Sequence, residues 1–166
     1  MKAFLDLIER VLRLATTTLF GLLIIPVTLQ ILARYVEFVP RYIWTEEIAR
    51  FCFIWIIMLG AMIAVRHDAH FEVDVLPRPT TAFGAGISRA VVHIGILALA
   101  LCFIYYGIGF SREGAMQTSE IASLPMLSIY IAWPVAGVIW TLFLIEKFAE
   151  DFAMMRGHWP QEEERE

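Results

Sequence analysis

Five residues in one polar segment carry imidazole and carboxylate groups, which are the common protein ligands of zinc and other transition metals. They are His67, Asp68, His70, Glu72 and Asp74. Their spacing matches no closed zinc site, and the acids after His70 alternate along the short segment FEVDV. We therefore assign no metal to this segment, and we expect it to lie at the membrane surface or to contact a partner.

His93 is a second candidate for chemistry, because a histidine inside an apolar helix can be an axial ligand of haem. A haem held between two helices needs a second buried histidine, whereas His67, His70 and His158 lie outside the apolar segments. Neither a cofactor nor a catalytic site follows from these residues. The chain is predicted not to be an enzyme.

Ionisable groups are missing from the middle of the apolar segments. A carrier that moves an ion or a charged solute by itself usually needs such groups near the middle of the membrane. Apart from His93, near the start of the third apolar segment, the four segments contain none. A small four-helix multidrug exporter would need an embedded glutamate, which is absent. The pattern favours a scaffold over a pump.

The start of the second apolar segment combines an interfacial tryptophan with charged residues: Trp44, Glu46, Glu47 and Arg50. Thr45 is a suitable N-cap, and acids in the first turn interact favourably with the helix dipole. Arg50 follows Glu46 and Glu47 by four and three residues and can pair with either. A helix from Thr45 to Arg66 is roughly 33 Å long, enough to cross a bilayer. We predict that this charged collar contacts another subunit at the membrane edge, the alternative being a solvated helix start.

Two pairs of small residues, four apart, would allow a neighbouring helix to approach closely: Gly60 with Ala64, and Ala132 with Ala136. Such pairs also occur in ordinary packing within one chain. We include Gly60 and Ala64 in the predicted partner interface, together with the collar.

Composition places the whole chain in a membrane. Of its 166 residues, 59% are hydrophobic and 18% charged, and the mean hydropathy is +0.68. Cys52 and Cys102 lie in apolar runs and indicate no disulfide framework, and the net charge of −4 argues against nucleic acid as a partner. The fold class predicted is an all-α integral membrane protein with four transmembrane helices, an amphipathic N-terminal helix and a polar tail.

Residues 1–166 are predicted to form one membrane domain. Its parts are an amphipathic helix at 1–13, spans at about 14–32, 45–66, 90–110 and 124–145, and a tail at 146–166. The N-terminal helix either lies on the membrane or continues into the first span. Pro134 is expected to kink the fourth span.

The distribution of lysine and arginine predicts the orientation. The amino end, the second loop and the tail hold three each, nine in all, whereas the first and third loops hold three and one. Both termini and the second loop should therefore face the cytoplasm.

One stretch of the sequence resembles a known family. The residues are A-R-Y at 33–35, Pro40, W-T-E-E-I-A-R at 44–50, F-x-F-I-W at 51–55, L-G-A at 59–61, A-V-R at 64–66, then His70 and V-D at 73–74. This pattern resembles the small membrane subunit of tripartite ATP-independent periplasmic (TRAP) transporters. The resemblance covers roughly forty residues, and the remainder agrees in length and in the number of spans.

The resemblance implies a sodium-driven uptake system for organic acids, mostly solutes that carry a carboxylate such as C4-dicarboxylates, sialic acids and keto acids, in a bacterial or archaeal inner membrane. Its large membrane subunit would handle solute and sodium. The small subunit would pack on the large one, among membrane lipids, and help to dock the periplasmic solute-binding protein. Two alternatives from other classes stay open at this point: a membrane-bound redox or quinone-interacting four-helix subunit, and a self-sufficient small exporter.

Overall fold

The computed structural model describes residues 2–36, 38, 40, 42–67 and 82–155. These residues form five helices: α1 (Lys2–Tyr35), α2 (Trp44–Arg66), α3 (Ala82–Gly114), α4 (Leu127–Tyr130) and α5 (Ala132–Met155). Four segments are long and apolar enough to cross a membrane, namely α1, α2, α3 and the pair α4–α5. The predicted all-α class with four spanning helices is confirmed.

Helix α1 contains both the predicted amphipathic segment and the predicted first span. Of the two arrangements left open by the sequence, the structure has the continuous one. Thirty-four residues make a helix roughly 51 Å long, whereas the apolar core of a bilayer is about 30 Å thick. Helix α1 must therefore tilt strongly or extend beyond the apolar core.

The four long helices pack side by side in the order α1, α2, α5, α3. Helix α5 packs against both α3 and α2, and α1 packs against α2 and only marginally against α5. In the described parts of the chain, α3 contacts neither α1 nor α2. Only 6% of the most apolar stretch of α1 is buried, against 39% for the segment containing α5. The arrangement is therefore a layer one helix thick and not a closed bundle.

The two outer helices each bury one narrow stripe. On α1 the stripe recurs every three or four residues: Leu5, Ile8, Leu12, Ala15, Leu19, Leu23, Pro26, Gln30 and Ala33. On α3 it recurs every seven residues: His93, Ala100, Gly107 and Gly114. Spacings of this kind place side chains along a nearly straight seam, as in coiled coils. Among the described residues each outer helix thus has one long helix as its main neighbour and exposes most of its remaining surface.

Glycines set the close contact between α3 and α5. A Cβ atom added to Gly137 would lie 2.6 Å from the carbonyl oxygen of Ala100, and one added to Gly107 would lie 2.7 Å from Cδ of Pro134. Any larger residue would therefore push the two backbones apart. These glycines are required for packing inside the chain.

The fourth predicted span is divided into α4 and α5, with a break at Ile131. Pro134 lies in the first turn of α5, where a backbone N–H would have no partner within that helix, so its missing N–H costs little. Helix α5 continues to Met155, ten residues beyond the predicted end of the span. It does so because Phe148 and Asp151 pack back against the neighbouring helices.

Candidate partner interface on helix α2

One face of α2 is only partly covered by the residues that the structure describes. Its residues are spaced by four, three, four, three and four: Glu46, Arg50, Phe53, Ile57, Gly60 and Ala64. The large apolar members are half exposed, Phe53 at 55% and Ile57 at 50%. The opposite side of the helix buries Met58, Met62 and Val65. The six residues, which we call the open face, form the kind of seam that packs against another helix.

Gly60 gives the open face a notch. A Cβ atom added there would meet nothing within 4 Å, so this glycine does not serve a close contact with the part of the chain that the structure describes. The other small pair of the sequence behaves differently, because Ala132 and Ala136 are fully buried in the core. The structure thus separates two sequence motifs that look alike: Ala132 and Ala136 pack inside the chain, whereas Gly60 makes no such close contact with the described residues.

The charged collar begins one residue earlier than predicted, and its capping differs. Helix α2 begins at Trp44, and Thr45 is buried in the first turn, where its Oγ1 donates a hydrogen bond to the Tyr42 carbonyl at 2.6 Å. The prediction of Thr45 as N-cap is wrong, because the helical conformation already includes Ile43. The ring of Trp44 lies 5.9 Å from that of Tyr42. Trp44 lies on the opposite side of the helix from the open face.

Glu46 and Glu47 lie in the first turn, as predicted, but they have different partners. Glu46 pairs with Arg50 at 3.4 Å, and both side chains are largely exposed. Glu47 accepts hydrogen bonds from the Ser119 hydroxyl and, at 2.7 Å, from the Ala122 backbone N–H. Surface pairs such as the first contribute little stability. The second interaction connects α2 to the loop after α3, so Glu47 has a role within the chain.

The loop held by Glu47 is itself ordered by backbone hydrogen bonds. The Ser119 N–H donates to the Leu124 carbonyl at 2.8 Å, and the Met126 N–H donates to the Gln117 carbonyl at 3.0 Å. The indole N–H of Trp55 also donates to the Ser128 carbonyl at 2.8 Å. Helix α2 therefore positions the whole connection between α3 and α5 at one membrane face, next to the collar.

Five ionisable side chains connect α1 and α2 at the other membrane face: Asp6, Glu9, Arg13, Arg66 and His67. Nε of Arg66 lies 2.9 Å from Glu9, and Arg66 also pairs with Asp6. His67 Nε2 lies 2.9 Å from Glu9. The Arg66 guanidinium lies over the ring of Phe143, 5.3 Å from its centre. Arg66, which ends the predicted second span, thus joins three helices.

A buried ionisable pair joins α3 and α5 at the same face. Nδ1 of His93 lies 2.5 Å from Oδ2 of Asp151, and the two residues are 4% and 1% exposed. Nε of Arg89 lies 3.3 Å from Oδ1 of Asp151, close enough for an ion pair but not aligned as a hydrogen bond. Sequence patterns did not predict this pair, because Asp151 lies in the stretch 146–166 that they assign to the polar tail.

Of the five residues first considered as metal ligands, the structure describes only His67, whose Nε2 contacts the Glu9 carboxylate. Asp68, His70, Glu72 and Asp74 lie outside the described residues. Among the residues that are described, no three histidine, cysteine or acidic side chains are grouped as metal ligands would be. The open face of α2 remains as the candidate for a partner contact.

Comparison with known proteins connects this fold to one family. Residues 23–154 match the family described as "Tripartite ATP-independent periplasmic transporters, DctQ component". The chain is 27% identical to a putative TRAP transporter small permease protein of Haemophilus influenzae, over 95% of this chain and 98% of that protein. It is 24% identical to the sialic acid TRAP transporter small permease protein SiaQ of Vibrio cholerae, over 95% and 90%.

A third relative is longer. The isethionate TRAP transporter permease protein DctMQ of Oleidesulfovibrio alaskensis is 28% identical over 74% of this chain but only 20% of its own length. The family match covers most of the residues that form the four spanning helices, and it agrees with the resemblance in residues 33–74. The chain belongs to the DctQ family and is a small permease subunit, a membrane component of a TRAP transporter and not an enzyme.

Proposed function

We propose that the open face of α2 binds the large membrane subunit of the transporter and that the chain is a non-catalytic scaffold. The observation that carries the proposal is the uninterrupted stripe from Glu46 to Ala64, with the free notch at Gly60. Small permease subunits of this family have a large membrane subunit as partner. The stripe supplies a surface of suitable length and shape for one of its helices.

Small residues on the open face matter because of the way in which helices associate in lipid. Lipid chains are as apolar as leucine, so an exposed apolar surface alone does not drive association, and close packing around small residues does. Gly60 and Ala64 allow a partner backbone to approach, and Phe53 and Ile57 provide contact area on the same seam. Glu46 and Arg50 then lie at the membrane edge, where polar contacts with the partner fix its register.

The relatives support a close association. The chain matches one fifth of the permease protein DctMQ, and it also matches 22% of the sialic acid TRAP transporter permease protein SiaT of Haemophilus influenzae. In both, a segment like this chain is joined to a much longer permease sequence. A covalent connection of this kind keeps the two parts in one molecule and favours an interface between them.

The finer functional assignment is a sodium-driven uptake system for organic acids. The relatives are named for isethionate, sialic acid and C4-dicarboxylate, all of which carry an acidic group. The solute and sodium would be bound by the large subunit, because the apolar stretches of this chain hold no pair of ionisable groups near their middle. The face with the collar and the loop ordered by Glu47 would help to dock the solute-binding protein.

The orientation belongs to the same proposal. The lysine and arginine count places the amino end and the α2–α3 connection in the cytoplasm, so the collar faces the periplasm. Reporter fusions after Gly157 and near Ser119 test this arrangement. We expect a cytoplasmic signal from the first and a periplasmic signal from the second, and the reverse pattern would overturn the orientation and the docking role with it.

The decisive experiment replaces Gly60 with leucine and measures how much large subunit co-purifies from the membrane. Overpacking a close contact costs about 1–3 kcal/mol, or roughly 5- to 150-fold in association. The matched control is Gly95→Leu on α3, because an added Cβ there also meets nothing within 4 Å. Loss of the partner in Gly60→Leu alone supports the proposal. Equal recovery in both variants would show that the open face is not the interface.

A further inference from the structure

A cavity of 440 Å³ lies between the end of α1 and the start of α2. Its walls are mixed: apolar side chains alternate with polar ones, and the residues are Leu29, Gln30, Ala33, Arg34, Tyr42, Ile43, Thr45 and Glu46. Pockets for small ligands generally have about 300–1,000 Å³ and a few convergent polar groups. This cavity fits that description, and it is separate from the open face except for Glu46, which belongs to both.

Gln30 supplies an unused hydrogen-bond donor. Its Nε2 is buried and has no acceptor among the described residues, although Gln30 lies on the α1 stripe that faces α2. A buried amide without a partner is unfavourable, and one in an apolar environment more so. None of the described residues supplies the acceptor, and an acceptor group of a bound ligand would satisfy this donor.

Arg34 lies one turn further along α1 and lines the same cavity. It forms no ion pair with any residue that the structure describes. Two donors, one of them cationic, thus point to an anionic oxygen ligand, and phosphate is one of the oxygen-rich anions that arginine binds well.

Glu46 gives the cavity a negative charge as well. Its link to Arg50 is long, at 3.4 Å, and both side chains are exposed, so this link competes weakly with other partners. With Arg34 and Glu46 both present, the charges of the cavity balance. A ligand carrying a phosphate and an ammonium group fits this pair better than a purely anionic one.

The level of the cavity in the membrane indicates where such a ligand comes from. It lies where α1 ends and α2 begins, beside the rings of Tyr42 and Trp44, and such aromatic side chains mark the headgroup level of a bilayer. Leu29 and Ala33 extend the cavity toward the apolar core, where acyl chains begin.

We propose that this cavity binds the headgroup of one phosphatidylethanolamine molecule. Its phosphate accepts hydrogen bonds from Gln30 and Arg34, and its ammonium donates to Glu46. Phosphatidylglycerol lacks the cation, and the quaternary ammonium of phosphatidylcholine has no N–H to donate. All the lining residues come from this chain, and the site shares only Glu46 with the open face.

Native mass spectrometry of the transporter complex tests the proposal, because a lipid held within this chain stays with it when the subunits separate. Purified complex is supplied in turn with phosphatidylethanolamine, phosphatidylglycerol, phosphatidylcholine and soluble glycerophosphoethanolamine. We expect one phosphatidylethanolamine on the small subunit, and about tenfold lower occupancy in Gln30→Met or Arg34→Gln, as for loss of one charge-assisted hydrogen bond.

The control is Arg112→Gln, which removes an exposed arginine in the last turn of α3, at the same membrane face but outside the cavity. It should leave the lipid bound. Unchanged occupancy in Gln30→Met and Arg34→Gln would overturn the site. Equal retention of the three lipids would overturn the ammonium contact, and displacement by an equal concentration of glycerophosphoethanolamine would overturn a lipid as the occupant. If Gln30→Met or Arg34→Gln loses the lipid but still recovers the large subunit normally, the lipid site and the open face act separately.

Discussion

The close crossing of α3 and α5 leads to a quantitative prediction for Gly137→Ala. The new Cβ would lie 2.6 Å from the Ala100 carbonyl oxygen and 2.7 Å from a side-chain carbon of Ile104. The nearer atom belongs to the backbone, so the helices must separate, and overpacking of this kind costs about 1–3 kcal/mol. Alanine also favours a helix over glycine by about 1 kcal/mol. A backbone neighbour puts the steric cost near the upper end, so we expect a net loss of about 2 kcal/mol.

Gly60→Ala is the matched comparison, because the same change in helix propensity occurs there without any contact within 4 Å. It should leave the isolated chain unchanged or stabilise it by up to about 1 kcal/mol. Reversible unfolding of the purified chain in mixed micelles of mild detergent and dodecyl sulfate measures both variants. If Gly137→Ala were as stable as Gly60→Ala, the two backbones would not approach as closely as described, and the order of helices in the layer would need revision.

Three further predictions follow from the polar contacts. Replacing Asp151 with leucine should destabilise the chain by about 3–5 kcal/mol, because it leaves the buried His93 ring without the carboxylate that it contacts, whereas His93→Leu should cost less, because Arg89 still pairs with Asp151; the same unfolding assay measures this. Glu47→Ala should speed hydrogen exchange at Ala122, whose N–H it binds, whereas Glu46→Ala should not; equal exchange in both would contradict the internal role of Glu47. Glu9→Gln should loosen the amino-terminal end of α1 from α2, which would be seen as faster hydrogen exchange in the first turns of α1. Glu150→Gln, which removes the longer pair with Lys147, is the control.

Local features of the sequence predicted local features of the structure. The acids in the first turn of α2 and the pairing of Arg50 with Glu46 depend on residues within one turn of each other, and the structure contains both. The partner of Glu47 lies 72 residues away, in a loop with no motif, and no spacing rule leads to it. Partners of this kind become visible only when the order of the helices is known.

The residues of the open face follow a regular spacing that is visible in the sequence. Starting from Glu46, the spacing of four and three residues leads through Phe53 and Ile57 to Gly60 and Ala64. The residues at the two ends of this seam can be recognised in the sequence by their charge or small size. The two in its middle cannot, because they are apolar residues in a helix that is apolar on all sides. In water a hydrophobic stripe stands out against polar residues, whereas in a membrane both sides of a helix are apolar.

The order of the helices in the layer differs from their order along the chain, and this has a consequence for synthesis. Helices enter a membrane roughly in the order in which they are made, so the α1–α2 pair and α3 are inserted before α5. In the described residues these two parts do not contact each other; α5, which follows both in the chain, lies between them and contacts both. A nascent chain halted before α5 would therefore hold a helical hairpin and a third helix that is connected to it by the chain but not packed against it, and α5 is the helix that assembles the two parts.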